Sequence, residues 1–186
     1  MPKQKNSPEE TQAAVLTTFR TYGWEGASLA RLSAATGLGR SSLYHHFPNG
    51  KEDMALAAMD DAAAWFSELV LEPLAGEGAP AIRLGRAIAG LDRYYEKGGK
   101  ACLVELFSVA DASDAVRDGA KSLAMALIDA FAALAREAGF AKPEAKTRAL
   151  HAVTDLEGAL VLARALQSGD AFKASMARLP KILLEG

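Results

Sequence analysis

Between Ser28 and Lys51 two short helical segments are separated by only a few residues around Gly37, and no other stretch constrains the fold as tightly. Ser28 is a good cap for the first segment, which runs to about Thr36 with Leu29 and Leu32 pointing inward and Arg31 outward. Gly37 supplies the left-handed residue that turns the chain. Leu38, Leu43 and Phe47 are the apolar pegs of the second segment, which starts near Gly39 and stops before Pro48. The rest of that segment, Arg40, Ser41, Ser42, Tyr44, His45 and His46, is a dense polar and aromatic surface. A bracing helix followed by a polar one is how a helix-turn-helix addresses the major groove.

The remaining pattern is helical throughout. No segment alternates with period two for long enough to suggest a strand, so the expected fold class is all-α, with about nine helices. The first seven residues read as a frayed basic arm. Ser7 and Pro8 open a first helix that carries Val15, Leu16, Phe19 and Tyr22 on one face, and Gly23 ends it. A long fourth helix runs from about Lys51 to Glu72, with Met54, Ala58, Ala62, Trp65, Phe66 and Leu69 as its stripe, until Pro73, Gly76 and Gly78 break it. Pro80 opens a fifth helix, closed by Gly98-Gly99, and a short sixth spans about Ala101 to Ala110. Ser113 caps a seventh that runs to Gly139, and Pro143 opens an eighth that reaches Gln167. Asp170 is expected to cap the ninth, which Pro180 should kink or end early. The resulting division is a DNA-binding domain over residues 1–52 and a larger helical body over 53–186, with the fourth helix passing from one to the other.

Composition narrows the partners. The 186 residues carry a net charge of −2, but the sign is uneven: residues 1–51 hold six Lys/Arg against three acids, and the remainder fifteen against twenty. Positive charge therefore gathers where a phosphate backbone would be met. Overall acidity argues against a nonspecific DNA coat. No apolar run approaches the roughly 20 residues of a membrane span, and the N-terminus has no apolar segment to act as a signal; a cytoplasmic location is the expectation. Cys102 is the only cysteine, which excludes an intrachain disulfide and reads as a buried, hydrophobe-like thiol. There is no Gly-rich phosphate loop after a strand, no Ser-His-Asp constellation and no metal-ligand cluster. His45 and His46 diverge at adjacent positions, and His151 is remote in sequence. Neither an enzyme, a metal nor a cofactor is expected.

Thr36-Gly37-Leu38, Arg40, and the run Ser42-Leu43-Tyr44-His45-His46-Phe47 through Lys51 resemble the turn and recognition helix of the TetR/AcrR family of bacterial transcriptional regulators. Glu157-Gly158-Ala159-Leu160-Val161-Leu162-Ala163-Arg164 and the Cys102-Leu103 start of the sixth helix are similar to the LmrA/YxaF-like subgroup. The chain departs from the family at Gly39, where Ser or Thr is usual, at Ser41, where Gly is common, and at Asn49-Gly50, one residue longer than the commonest form.

The resemblance implies a ligand-responsive regulator, in the usual mode a repressor released from double-stranded operator DNA by a small effector. The alternative is a helical small-molecule carrier or sensor without sequence-specific DNA binding. The residues expected to meet DNA are Ser28, Arg31, Gly39, Arg40, Ser41, Ser42, Tyr44, His45, His46 and Lys51. Lys51 would meet phosphate near the start of the fourth helix. A homodimer is implied, with Leu150, Val153, Leu156, Gly158, Leu160 and Val161 of the eighth helix and Phe172, Met176, Leu179 and Leu183 of the ninth as its candidate interface. The competing assignment for these ten is the protomer core. An apolar or aromatic effector would lie among Trp65, Phe66, Leu69, Tyr94, Tyr95, Leu103, Leu106, Phe107 and Phe131, with Glu157 as a polar anchor; an aromatic stripe at helical spacing also suits plain core.

Overall fold

Helix α1, Pro8–Gly26, begins on a capping box: Glu10 N–H donates to Ser7 Oγ (3.2 Å) and Ser7 N–H to Glu10 Oε2 (2.8 Å), which satisfies donors the first turn leaves open. Its regular part ends at Gly23, whose φ of 70° interrupts the helix, as the glycine's position suggests. The computed structural model describes residues 7–186; the expected basic arm, apart from Ser7, lies outside them. The other helices are α2 (Leu29–Thr36), α3 (Arg40–His46), α4 (Lys51–Phe66), α5 (Pro80–Tyr94), α6 (Leu103–Phe107), α7 (Asp114–Glu137), α8 (Lys142–Ala165) and α9 (Asp170–Leu184). Helix α4 runs on without a break through a π-helical turn, Ser67–Leu71, into Glu72–Ala75. Counted so, the described residues form nine helices and no strand, and none of these is long and apolar enough to cross a membrane.

The helices gather into two compact units. The first holds the chain up to Ala63 together with Leu103–Lys121, the second Ala64–Cys102 together with Ser122–Gly186. In the first, α2 packs on α1 and α3 on α2, around fully buried Val15, Phe19, Leu32, Leu43 and Met54. Helix α6 packs on α1 and delivers Phe107, which stands edge-on to Phe19 (5.2 Å between centroids) and to Trp24 (6.1 Å).

In the second unit α8 and α9 form a hairpin with the most extensive packing in the molecule. The π-helical turn was not legible in the sequence, and Gly90 accounts for it: α5 crosses so close there that a Cβ on Gly90 would overlap the Leu69 carbonyl oxygen and stand 2.7 Å from its carbon. Arg83 is buried, donates to the carbonyls of Leu74 (3.1 Å) and Gly76 (3.4 Å), and pairs with Glu137 at the end of α7. It thereby caps the last turn of the α4 extension.

Several termini differ from the sequence reading: Pro73 lies inside the α4 extension, which ends at Ala75, α5 ends at Tyr94 ahead of Gly98-Gly99, and α6 is only Leu103–Phe107. Asp170 does not cap α9; Gly169 is the N-cap residue, and the Asp170 N–H is taken by Ser168 Oγ at 3.2 Å. Pro180 does not end α9, which continues to Leu184. Buried Leu179 and Leu183 hold the last turn against α8, and Arg148 Nη1 donates to the terminal carbonyls of Ile182 (2.9 Å) and Glu185 (2.7 Å). One missing N–H near a helix end is offset by that burial and capping.

Candidate nucleic-acid interface

The turn between α2 and α3 is stapled by side chains. Ser33 Oγ donates to the Leu38 carbonyl (2.6 Å), and Thr36 Oγ1 donates to the Leu32 carbonyl (2.7 Å) while accepting from Leu38 N–H (3.3 Å). Gly37 sits at φ 69°, the left-handed conformation that this turn needs. Helix α3 starts at Gly39 with no side-chain cap, the consequence expected of a glycine there. Leu43 is its one buried residue, and Arg40, Ser41, Ser42, Tyr44, His45 and His46 are all exposed. A single peg inward and six polar or aromatic groups outward is a composition that water tolerates and that a groove lined with acceptors can use.

The expected contact residues are not all equally free. Ser28 is exposed, but its Oγ accepts from Arg31 N–H (3.3 Å) as the N-cap of α2. Arg31 lies back along α1, its Nη1 donating to the Gly26 carbonyl (2.7 Å) and its guanidinium 4.3 Å above the Tyr22 ring. Tyr44 is 45% exposed, with one edge of its ring resting over Gly50. The α3–α4 turn holds its shape through Gly50 at φ 66° and through Asn49, whose N–H and Nδ2 both donate to Asp53. Lys51 is half-buried; its Nζ donates to the Trp24 carbonyl (2.6 Å) and lies 4.3 Å from the Trp24 ring centroid. Burial lowers its pKa, and the charges of Glu25 and Asp111 pull it partly back. Beside the exposed face runs a groove of about 430 Å³ lined by Pro8, Thr11, Gln12, Leu38, Ser42, His46 and Phe47. Thr11, Gln12 and Trp24 were not singled out by sequence, because nothing in their spacing marks them.

The proposed effector residues divide. Trp65, Phe66, Tyr94 and Tyr95 come together in the second unit: Tyr94 lies 5.4 Å from Trp65, 5.0 Å from Phe66 and 4.9 Å from Tyr95. Burial, then the nearby Cys102 and Glu157, push the Tyr95 phenol well above its usual range, so it stays a neutral donor to Cys102 Sγ (3.4 Å). Leu69 lies half-buried on the π-helical turn, Phe131 is fully buried in α7, and Glu157 is half-buried in α8. Leu103, Leu106 and Phe107 fall in the first unit instead, because Phe19 and Trp24 occupy the apolar face of α6.

The ten candidate interface residues divide more sharply. Leu150, Gly158 and Val161 are exposed. Val153, Leu156, Leu160, Phe172, Met176, Leu179 and Leu183 are buried inside the protomer, with Phe172 packed 6.2 Å from Tyr95. The inward stripes of α8 and α9 face each other; what α8 and its C-cap residue leave outside also includes Leu162 and Leu166, 51% and 66% exposed. Among the described residues no cluster of His, Cys, Asp or Glu could hold a metal ion.

Known proteins share this architecture. Residues 13–58 match the family described as bacterial regulatory proteins, tetR family, and residues 84–178 match the C-terminal domain of LmrA/YxaF-like transcriptional regulators. The chain belongs to the TetR family of transcriptional regulators, a family of regulators rather than enzymes, and its second domain is of the LmrA/YxaF-like kind. The HTH-type transcriptional repressor AcnR of Corynebacterium glutamicum is 39% identical over 70 residues, which are 38% of this chain and 37% of AcnR. The chain thus spans little more than a third of the length of that curated relative. A TetR regulator of Legionella pneumophila superposes with a TM-score of 0.85 at 17% identity, over 97% of this chain and 99% of its own. CifR, solved in complex with a 26-bp operator duplex, superposes at 0.74 with 22% identity, over 97% of each chain.

Proposed function

We propose that this protein is a DNA-binding transcriptional regulator that works as a homodimer in the cytoplasm, a repressor released from its operator by a small, mainly apolar or aromatic effector. The observation that carries the reading is α3: one buried leucine, six exposed polar or aromatic residues, and a stapled turn that holds them outward. Arg40, Ser41, Ser42, Tyr44, His45 and His46 are the residues proposed to meet base edges and phosphates, with Gly39 allowing close backbone approach and Ser28 and Arg31 at the margin. Residues 1–52 form the DNA-binding domain in this reading and 53–186 the sensing and dimerising body. The operator complex of CifR supports DNA as the partner.

A single helix-turn-helix contacts too few phosphates to hold one site firmly, so two copies on adjacent half-sites are required. The exposed apolar residues Leu150, Val161 and Leu162 of α8 and Leu166 at its C-terminal cap, together with Gly158, are the proposed seam. The aromatic cluster around Tyr94 is the proposed effector wall. Because α4 begins beside the recognition helix and its extension enters the second unit, an effector that prefers one conformation of the body would shift operator affinity by that preference.

Selection of duplexes from a randomised library with the purified full chain, followed by footprinting, tests the reading. The expected result is a two-fold symmetric site whose half-sites lie about 34–36 Å apart. Enrichment of no sequence, or protection of a single half-site by a monomer, would overturn it.

A further inference from the structure

Lys51 is held by contacts within its own unit. Its ammonium donates to the Trp24 carbonyl at 2.6 Å and covers the Trp24 ring at 4.3 Å. Trp24 is itself fixed from two further sides, stacked on Phe19 (5.9 Å, 10° between planes) and edge-on to Phe107. The charges that face Lys51 are Glu25 at the end of α1 and Asp111 before α7; both are acids, so much of its field is neutralised within the protein. A cation so engaged has two of its favourable contacts to lose before it can reach a phosphate. Its other neighbours lead to the recognition helix. Lys51 is the first residue of α4 and follows Gly50, the residue under the Tyr44 ring, where a Cβ would lie 3.4 Å from Tyr44 Cε1.

We infer that Lys51 is a positioning residue of the DNA-binding unit: it latches the start of α4 to Trp24, and through Gly50 and Tyr44 this sets the seat of α3. Its charge is spent inside the protein, and the preference for operator over random sequence depends on the latch. The inference rests on the DNA-binding reading above.

The test uses the full chain, the duplex that the wild type enriches from a randomised library, and a random duplex of equal length. Kd for both is measured across a series of KCl concentrations. Lys51→Met keeps the aliphatic stem and removes the ammonium. It is expected to weaken operator binding about tenfold, the scale of one lost base contact, while leaving random-duplex binding and the salt slope of operator binding at their wild-type values. Trp24→Leu, with no route to a phosphate, is expected to act in the same direction, and the two changes together to cost less than their separate effects combined.

A phosphate contact predicts something different: both duplexes weaken, and the slope falls by about 0.9 for each protomer bound. Loss of folded protein alone weakens both duplexes at unchanged slope. Either result overturns the proposal, as do fully additive effects of the two substitutions. A wild type that enriches no duplex is a separate outcome; it removes the DNA-binding reading and this one with it.

Discussion

Single residues in this protein carry constraints that their chemical type does not announce. Gly90 is the sharpest case. A methyl group there would overlap the Leu69 carbonyl, and backbone cannot move aside as a flexible side chain can. Gly90→Ala is expected to destabilise the protein by about 3 kcal/mol or more, measured by urea unfolding. A change below 1 kcal/mol, on the scale of a glycine replaced in open space, would show that α5 does not press on the π-helical turn. Lys51 is a second case, because the positive residue expected to meet phosphate at a helix start has its ammonium on an indole ring and a main-chain carbonyl. The third is Arg83, charged and buried, which answers two carbonyls and one carboxylate. Arg83→Met would leave those carbonyls without their donor and is expected to cost about 3 kcal/mol. Thermal melts at neutral pH check it, with Glu137→Gln as the milder companion because Glu137 is half-exposed.

Pairs of helices are held by a few directional contacts laid over an apolar seam. Asp155 of α8 accepts from Nε and Nη2 of Arg178 on α9, at 3.2 and 2.7 Å. Burial by itself would raise the Asp155 pKa, but the hydrogen bonds from Arg178 and its charge outweigh it and hold the carboxyl below its usual value. A carboxylate whose pKa is depressed by folding adds stability that is complete above its unfolded pKa and is lost as pH falls through the lower, folded one. The stability difference between wild type and Asp155→Asn is therefore expected to be present at neutral pH and to be lost in strong acid, as the pH falls through the depressed folded-state value. Urea unfolding at both pH values measures it, and an undiminished difference in acid would mean that the ion pair is not the source.

At the scale of the whole molecule, the exposed apolar residues of α8 require a partner surface if the proposed assembly holds. Val161 is 43% exposed, so a charge there is compatible with the folded protomer but not with a dry seam between two copies. Val161→Asp is expected to keep the wild-type melting temperature of the protomer, to sediment as a monomer, and to lose operator binding by about 100-fold or more through the lost second half-site. A Val161→Asp protein that remains dimeric would place the seam elsewhere.

Much of this was readable from residues alone. The helix start at Ser7 and Pro8, the break at Gly23, the turn at Gly37, the uncapped start at Gly39 and the outward set on α3 are local matters, decided within a few residues by backbone sterics and by hydrogen bonds between near neighbours. The TetR resemblance was carried by those same short-range features. Three things were settled only by tertiary structure. One is the direction of each apolar stripe: Phe172, Met176, Leu179 and Leu183 could have faced a second chain, yet they are buried against their own. Another is the place of α6, whose Phe107 joins Phe19 and Trp24. The last is the attachment of Lys51 and the π-helical turn under Gly90. Helical period specifies that a face is apolar, but the partner that covers it comes from residues distant in the chain, and only packing brings those together.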